Sequence, residues 1–373
     1  MMLAVAPAPV PALAAPAPVP AEIPVALLVD LSTGQHLYAR QIDRRFMPAS
    51  VTKVMTAYTA FRLIDEGRIN PSTPFLISQD LEDQWSGEGS TMFLKAGERP
   101  TFGELLLGAT TVSGNDASVA LALASTGSLT NWLAMMNRNA GDLGMANTHF
   151  GSPNGFPDEG QTFTTARDLA LLGEAVATHY PGLYQRYFGH RTLTWRGLTQ
   201  VNHDPVTGTV PGGDGMKTGF TNEAGYTVIG SAKRNGRRLI VVLAAAPNAR
   251  LRNDTARALL EWGFRNFTST PLAQQGATVG RARVQDGSAQ HVALRTSRWV
   301  GINRTPGITG KPDISIRYHG PLVAPISEGD VVASLHVEIA GMPPYDVPLE
   351  AASTVTEANA FQRLYNGVAG LFT

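Results

Sequence analysis

The run 25–31, Val-Ala-Leu-Leu-Val-Asp-Leu, is almost continuously apolar, and a strand of that kind must be covered on both faces. Ser32-Thr33-Gly34 then turns the chain into a second extended stretch at 35–40, so ordered structure opens on a hairpin. Apolar residues at helical spacing follow near 51–66, 102–107, 116–124, 130–141 and 165–177, each ended or flanked by Gly or Pro. Extended runs return at 191–195, 225–232 and 238–246, and 253–267 is again helical in pattern. The order predicts an α+β unit over 25–268, in which a sheet built from both ends of the segment brackets a helical block.

After residue 268 the texture changes. Short β-rich pieces at 292–296, 313–318 and 331–339, separated by turns carrying Gly and Pro, predict a small all-β domain over 269–356. The stretch 357–373 places Phe361, Leu364, Tyr365, Val368, Leu371 and Phe372 on one helical face. This amphipathic end either packs on the β domain or lies in a membrane interface, with Arg363 its only basic residue. At the other end, 1–24 carries prolines at 7, 9, 11, 16, 18, 20 and 24, which forbid a helix and predict an extended linker. Within it Ala12-Leu13-Ala14 has the form of a signal-peptidase site. It reads as the remnant of a signal peptide that starts upstream, hence as an exported chain.

Composition removes several classes of function. Lys+Arg and Asp+Glu are 30 each, for a net charge of zero, which leaves no basic field for nucleic acid. There is no cysteine, so neither a thiol nucleophile nor a thiolate metal site exists. The eight histidines show no metal-ligand spacing, and no phosphate-binding loop or Gly-x-Ser-x-Gly elbow is present.

The chemistry concentrates in three short motifs. In Pro48-Ala49-Ser50-Val51-Thr52-Lys53 a hydroxyl and an amine lie three residues apart at the start of a helix, on one face. Serine attacks only when a base takes its proton, and a lysine serves as that base when burial or a nearby cation lowers its pKa. Ser113-Gly114-Asn115 falls between two helices, where a turn can project a hydroxyl and an amide into a cleft. Lys217-Thr218-Gly219 follows the glycine-rich run 212–215, ahead of a strand-like region. Lysine usage supports the choice: only Lys53, Lys95, Lys217, Lys233 and Lys311 occur among the 30 basic residues, and two of them fall in these motifs. At 53 an arginine could not act, because a guanidinium keeps its proton.

This combination, Ser-x-x-Lys, Ser-x-Asn and Lys-Thr-Gly in order, resembles that of penicillin-binding proteins and serine β-lactamases. Residues 25–267 are similar to the low-molecular-mass D-alanyl-D-alanine carboxypeptidases, with further likeness at Leu193-Thr194-Trp195-x-Gly197-x-Thr199-Gln200 and Phe156-Pro157-Asp158-x-Gly160-Gln161. The β-rich part and the amphipathic end resemble the C-terminal domain and anchoring helix of the same family. The resemblance implies a β-lactamase/transpeptidase-like antiparallel sheet with a helical block, and removal of the last D-Ala from peptidoglycan stem pentapeptides with no cofactor and no metal. It implies acylation by β-lactams, a periplasmic location at the outer face of the inner membrane, and contact with that surface through the C-terminal helix. Ser50 would form the acyl-enzyme, Lys53 would take its proton, and Ser113 would pass a proton to the departing D-Ala. Asn115 would hold the substrate amide and the Lys53 amine, and Lys217 would keep Lys53 partly neutral. Thr218, Gly219, Phe220 and Arg252 would bind substrate: the Thr218 hydroxyl and Arg252 at the terminal carboxylate, the Phe220 amide with that of Ser50 at the oxyanion.

One position departs from the pattern. Many relatives carry His or Thr after Lys-Thr-Gly, and here Phe220 stands there, which removes a polar contact near the leaving group. Three other readings share the motifs: a β-lactamase with Glu159 activating water, a D,D-endopeptidase, and a slow-turnover penicillin-binding scaffold.

Overall fold

The computed structural model describes residues 16–297, 299–304, 310–340 and 344–359. These divide into two compact units, one of Ala17–Leu31 with Tyr38–Gly263, the other containing Ser32–Leu37 with the chain from Phe264 onward.

The first unit is built on a five-stranded sheet. The opening hairpin is β1 (Val25–Asp30) and β2 (Gln35–Arg40); the helices that follow are α1 (Lys53–Asp65), α2 (Gln79–Trp85), α3 (Phe102–Thr111), α4 (Asn115–Thr126), α5 (Leu129–Asp142), α6 (Ala166–His179) and α7 (Pro181–Tyr187). A small hairpin, β3 (Thr192–Trp195) with β4 (Leu198–Val201), leads to β5 (Gly213–Thr221), β6 (Gly225–Arg234) and β7 (Arg237–Ala246), and α8 (Ala249–Asn266) closes the unit. The strand order is β2-β1-β7-β6-β5, with β1–β7, β7–β6 and β6–β5 antiparallel. All six residues of β1 are buried, as its apolar run requires. Helix α1 contributes Val54, Met55, Phe61 and Leu63 to the core between sheet and helices.

The bracketing of a helical block by a sheet from both ends is what the sequence pattern anticipates. Three details differ. Helices α2 and α7 are seven residues each; α2 buries only Leu81, too little to leave a periodic signature, and forms because the Ser78 hydroxyl caps it by accepting from the Leu81 amide at 3.2 Å. The Lys-Thr-Gly motif lies inside β5 rather than ahead of a strand, because pairing with β6 outweighs the low strand propensity of the preceding glycines. Finally, residues 17–24 are a docked arm rather than a linker. Val19 and Ile23 are buried, and the Arg40 guanidinium donates to the carbonyls of Val19, Pro20 and Ile23 at 3.1, 2.6 and 2.9 Å. A proline-rich segment has few N–H groups to offer a sheet, but its carbonyls remain available to one arginine.

The second unit is all-β beyond α8. Strands β8 (Thr268–Ala273), β9 (Thr278–Gln285), β10 (His291–Thr296), β11 (Val300–Arg304), β12 (Asp313–Arg317), β13 (Leu322–Val323), β14 (Val331–Glu338) and β15 (Tyr345–Ala351) form a six-stranded sheet of order β12-β14-β15-β10-β9-β13 and a β8–β11 pair. Its core is the alternating inward set that includes Val292, Leu294, Leu335, Val337, Val347 and Leu349. Asn303 donates its backbone N–H to Gln35 Oε1 at 2.9 Å and its side-chain amide to Thr33 Oγ1 at 2.7 Å. Among the described residues no single helix is long and apolar enough to cross a membrane. The expected signal remnant at 1–14 and residues 360–373 of the expected amphipathic helix lie outside the described residues.

Candidate active site

Ser50 sits in one 3-10 turn, Ala49–Thr52, that runs directly into α1 at Lys53. Ala49 has φ +50°, a left-handed conformation that alanine adopts only when its surroundings hold it there. Gly155 leaves the room this turn needs, since a Cβ at 155 would lie 1.8 Å from the Ala49 carbonyl oxygen.

Lys53 is fully buried, and its Nζ lies 2.9 Å from Ser50 Oγ, 2.8 Å from Asn115 Oδ1 and 2.7 Å from the Asn154 carbonyl. The last two groups can only accept, so they claim two N–H bonds; a neutral amine then has its lone pair left for the Ser50 hydroxyl. Burial, and after it the charge of Lys217, holds Lys53 well below the usual lysine pKa, against an upward pull from Asp116.

Asn115 opens α4 and is anchored at both ends of its side-chain amide and at its backbone N–H. Its Nδ2 donates to the Glu88 carbonyl at 2.8 Å and its N–H to the Ser90 carbonyl at 2.8 Å. Next to it the buried Asp116 carboxylate accepts from the backbone amides of Met92, Leu94 and Ala117 at 2.8, 3.0 and 2.8 Å. The segment 88–94 is thereby stitched to the first turn of α4. Ser113, at φ +63°, forms the tight turn between α3 and α4 and is not among the three hydrogen-bond partners of the Lys53 amine.

Strand β5 carries the remaining motif. Lys217 is buried, donates to the Thr218 carbonyl at 2.9 Å, and has its pKa pushed down to about 7 by burial first and by Arg252 second, with Asp204 opposing. Gly219 runs so close to the Ser50 turn that a Cβ there would meet the Pro48 carbonyl at 2.5 Å and the Ser50 nitrogen at 3.1 Å. Only glycine lets the two backbones come together in this way. Arg252 lies in the first turn of α8, which Asn248 opens by accepting from the Leu251 amide. Its guanidinium stands 5.6 Å from the Tyr226 ring centre, and burial lowers its pKa to about 10.

Ser50, Ser113, Asn115, Thr218, Phe220 and Arg252 thus line one cleft of about 680 Å³. Gly219 and His203 line it too, and burial, followed by the charges of Lys217 and Arg252, depresses the His203 pKa. Lys53 and Lys217 are buried rather than exposed to it. Glu159 is exposed and is not among the residues lining the cleft. Sequence reasoning missed Asn154, Gly155, Asp116, Asp204 and Tyr226. Asn154 acts through a backbone carbonyl, which no residue type announces, and Asn154-Gly155 reads only as a turn.

Residues 14–248 match the family described as D-alanyl-D-alanine carboxypeptidase. The chain belongs to this family. Residues 267–357 of this carboxypeptidase match the C-terminal domain of penicillin-binding protein 5. It is 35% identical to the D-alanyl-D-alanine carboxypeptidase DacD of Escherichia coli over 91% of the chain and 88% of the relative. With DacF of Bacillus subtilis the identity is 32%, over 89% and 86%. Among solved structures, penicillin-binding protein 5 of Haemophilus influenzae superposes with a TM-score of 0.74 at 28% identity, covering 95% of this chain and 100% of that one. Penicillin-binding protein D2 of Listeria monocytogenes in its ampicillin-bound form gives 0.59 at 28% identity, over 65% and 98%.

Proposed function

We propose that this carboxypeptidase releases the terminal D-Ala of peptidoglycan stem peptides through an acyl-enzyme on Ser50. The observation that carries the reading is the hydrogen-bonding around Lys53, which leaves its lone pair directed at the Ser50 hydroxyl. Lys53 takes the hydroxyl proton as Oγ attacks the carbonyl of the penultimate D-Ala. The negative charge that develops on that oxygen meets the backbone amides of Ser50 and Phe220, whose proximity is supported by the close passage of Gly219. The C–N bond then breaks, and the departing amine receives a proton through Ser113, which lines the cleft. Water subsequently attacks the ester, with Lys53 again as base.

The substrate's free carboxylate is recognised at the end of the cleft lined by Thr218 and Arg252, where the first turn of α8 adds its partial positive charge. Asn115 holds both the Lys53 amine and the substrate amide, and Lys217 keeps the proton affinity of Lys53 low. β-Lactams acylate Ser50 by the same attack.

The chain is divided, on this reading, into a signal-peptide remnant ahead of the docked arm within 1–24, the catalytic domain over 25–268, the β domain over 269–356 and a tail over 357–373. It acts in the cell envelope, exported to the periplasm and held at the outer face of the inner membrane by the tail. Incubation with a peptide ending in D-Ala-D-Ala should release free D-Ala, and a fluorescent penicillin should add its mass to the peptide containing Ser50. Labelling without release would favour a scaffold or an endopeptidase; D-Ala release by Ser50→Ala would refute the mechanism. Recovery of the protein in the cytosolic fraction would refute the location.

A further inference from the structure

Phe220 breaks the burial pattern of its own strand: residues 215–219 of β5 are buried, yet Phe220 is 48% exposed. Strand alternation puts it on the same face as Thr218, and both line the cleft. Directly across the ladder from Phe220 is Tyr226, and the two rings stack with centres 4.2 Å apart and planes inclined by 28°. Tyr226 also lines the cleft and lies against Arg252. An aromatic surface therefore adjoins the cationic end of the cleft, open to whatever occupies it.

We infer that Phe220 and Tyr226 form a subsite for the side chain of the departing residue, and that the subsite takes an apolar D-amino acid larger than alanine. The inference rests on the proposed function above. If the carboxylate of the last residue is held at Thr218 and Arg252 while the scissile carbonyl oxygen meets the Phe220 amide, that residue lies alongside Thr218 to Phe220 of β5, two positions or about 7 Å of strand. Its side chain then falls within reach of the Phe220 ring and its stacked partner. A methyl group covers little of that surface. Leucine or phenylalanine of D configuration would cover more, and each methylene fully buried is worth about fourfold in binding. The bond chemistry is unchanged: the acyl group passes to Ser50, the departing D-amino acid takes a proton on nitrogen, and water releases the acid.

The test uses the full chain and diacetyl-L-Lys-D-Ala-D-X peptides with X as Ala, Leu or Phe, and follows the free D-amino acid. The ratio of kcat/KM for D-Leu or D-Phe to that for D-Ala should be about ten in the parent. It should fall below about two in Phe220→Ala and stay intermediate in Phe220→Leu, with labelling by fluorescent penicillin to verify that each variant is folded. Reading the ratio cancels any loss common to all substrates. A parent ratio of one or less, or a ratio that survives Phe220→Ala, overturns the subsite while leaving the carboxypeptidase reading intact. No release from any of the three peptides overturns both.

Discussion

Placing a methyl group at residue 155 separates the effect of steric displacement on the nucleophile from ordinary backbone strain. Gly155 has φ +71°, and in Gly155→Ala the new Cβ would lie 1.8 Å from the Ala49 carbonyl oxygen, 2.4 Å from its carbonyl carbon and 2.7 Å from Thr52 Oγ1. Left-handed alanine alone costs about 1–2 kcal/mol. The Ala49 peptide must also retreat by about 1.5 Å to reach ordinary contact, and overpacking of that kind adds about 1–3 kcal/mol. We expect a loss of about 2–5 kcal/mol in total. Ala49 immediately precedes Ser50, so the displacement carries to the nucleophile, and a misplacement near 1 Å lowers rates by about a hundredfold. Gly160 is the control: it shares the left-handed conformation, at φ +83°, but nothing lies within 4 Å of a Cβ there. Gly160→Ala should cost only the conformational term and leave the rate unchanged. Urea midpoints give the stabilities, and the rate of acylation by fluorescent penicillin gives the activity. Acylation by Gly155→Ala within threefold of the parent would refute the claim that this contact positions Ser50.

Three further outcomes are expected. Lys53→Arg should lose turnover altogether, because a guanidinium cannot accept the Ser50 proton; D-Ala release above a hundredth of the parent rate would contradict it. With Lys217 held at about 7 in the folded protein against an ordinary value of 10.5, the unfolded chain binds its proton between those limits and the folded one does not. Stability from this group therefore rises from pH 7 to 10, and urea midpoints of Lys217→Met should rise less over that interval than those of the parent. The same variant removes a cation beside Lys53, so the acid limb of the acylation profile should move to higher pH. In Arg40→Ala the carbonyls of Val19, Pro20 and Ile23 lose their shared donor, at a cost of about 1–3 kcal/mol; limited proteolysis should then cut within 17–24, and equal resistance would show that the arm is held by Val19 and Ile23 alone.

The parts of the site that were legible in the sequence are those whose chemistry demands a residue type. A hydroxyl at 50, an amine at 53, an amide at 115 and a lysine at 217 each stand out because few alternatives could act there, and because lysine is rare in this chain. What stayed hidden works through backbone or through distance. The Asn154 carbonyl has no residue signature. Asp116 looks like any polar residue in the first turn of a helix until Met92 and Leu94 are seen to donate to it. Of the fold, the buried strands and long helices were readable from periodicity, whereas α2 and α7 owe their existence to a cap and to Pro181 at the first turn. The periodic run of α8 begins at 253, four residues inside the helix that starts at Ala249, because the capping Asn248 lies ahead of the apolar pattern. The Phe220–Tyr226 pair joins residues that look unrelated until the β5–β6 register sets them opposite each other.

The sheet order has a consequence for how the chain is made. β1 lies between β2 and β7, and its register partners are residues 239–244. As the polypeptide emerges from the ribosome, an entirely apolar strand face can pair with β2 alone until residue 237 and beyond have been synthesised. Through that interval the N-terminal strand is an exposed template for association with other nascent chains. A holding chaperone that engages 25–31 during translation would protect the yield of active enzyme, and a charge introduced at Val25, Leu27 or Val29, all buried, would abolish folding rather than merely weaken it.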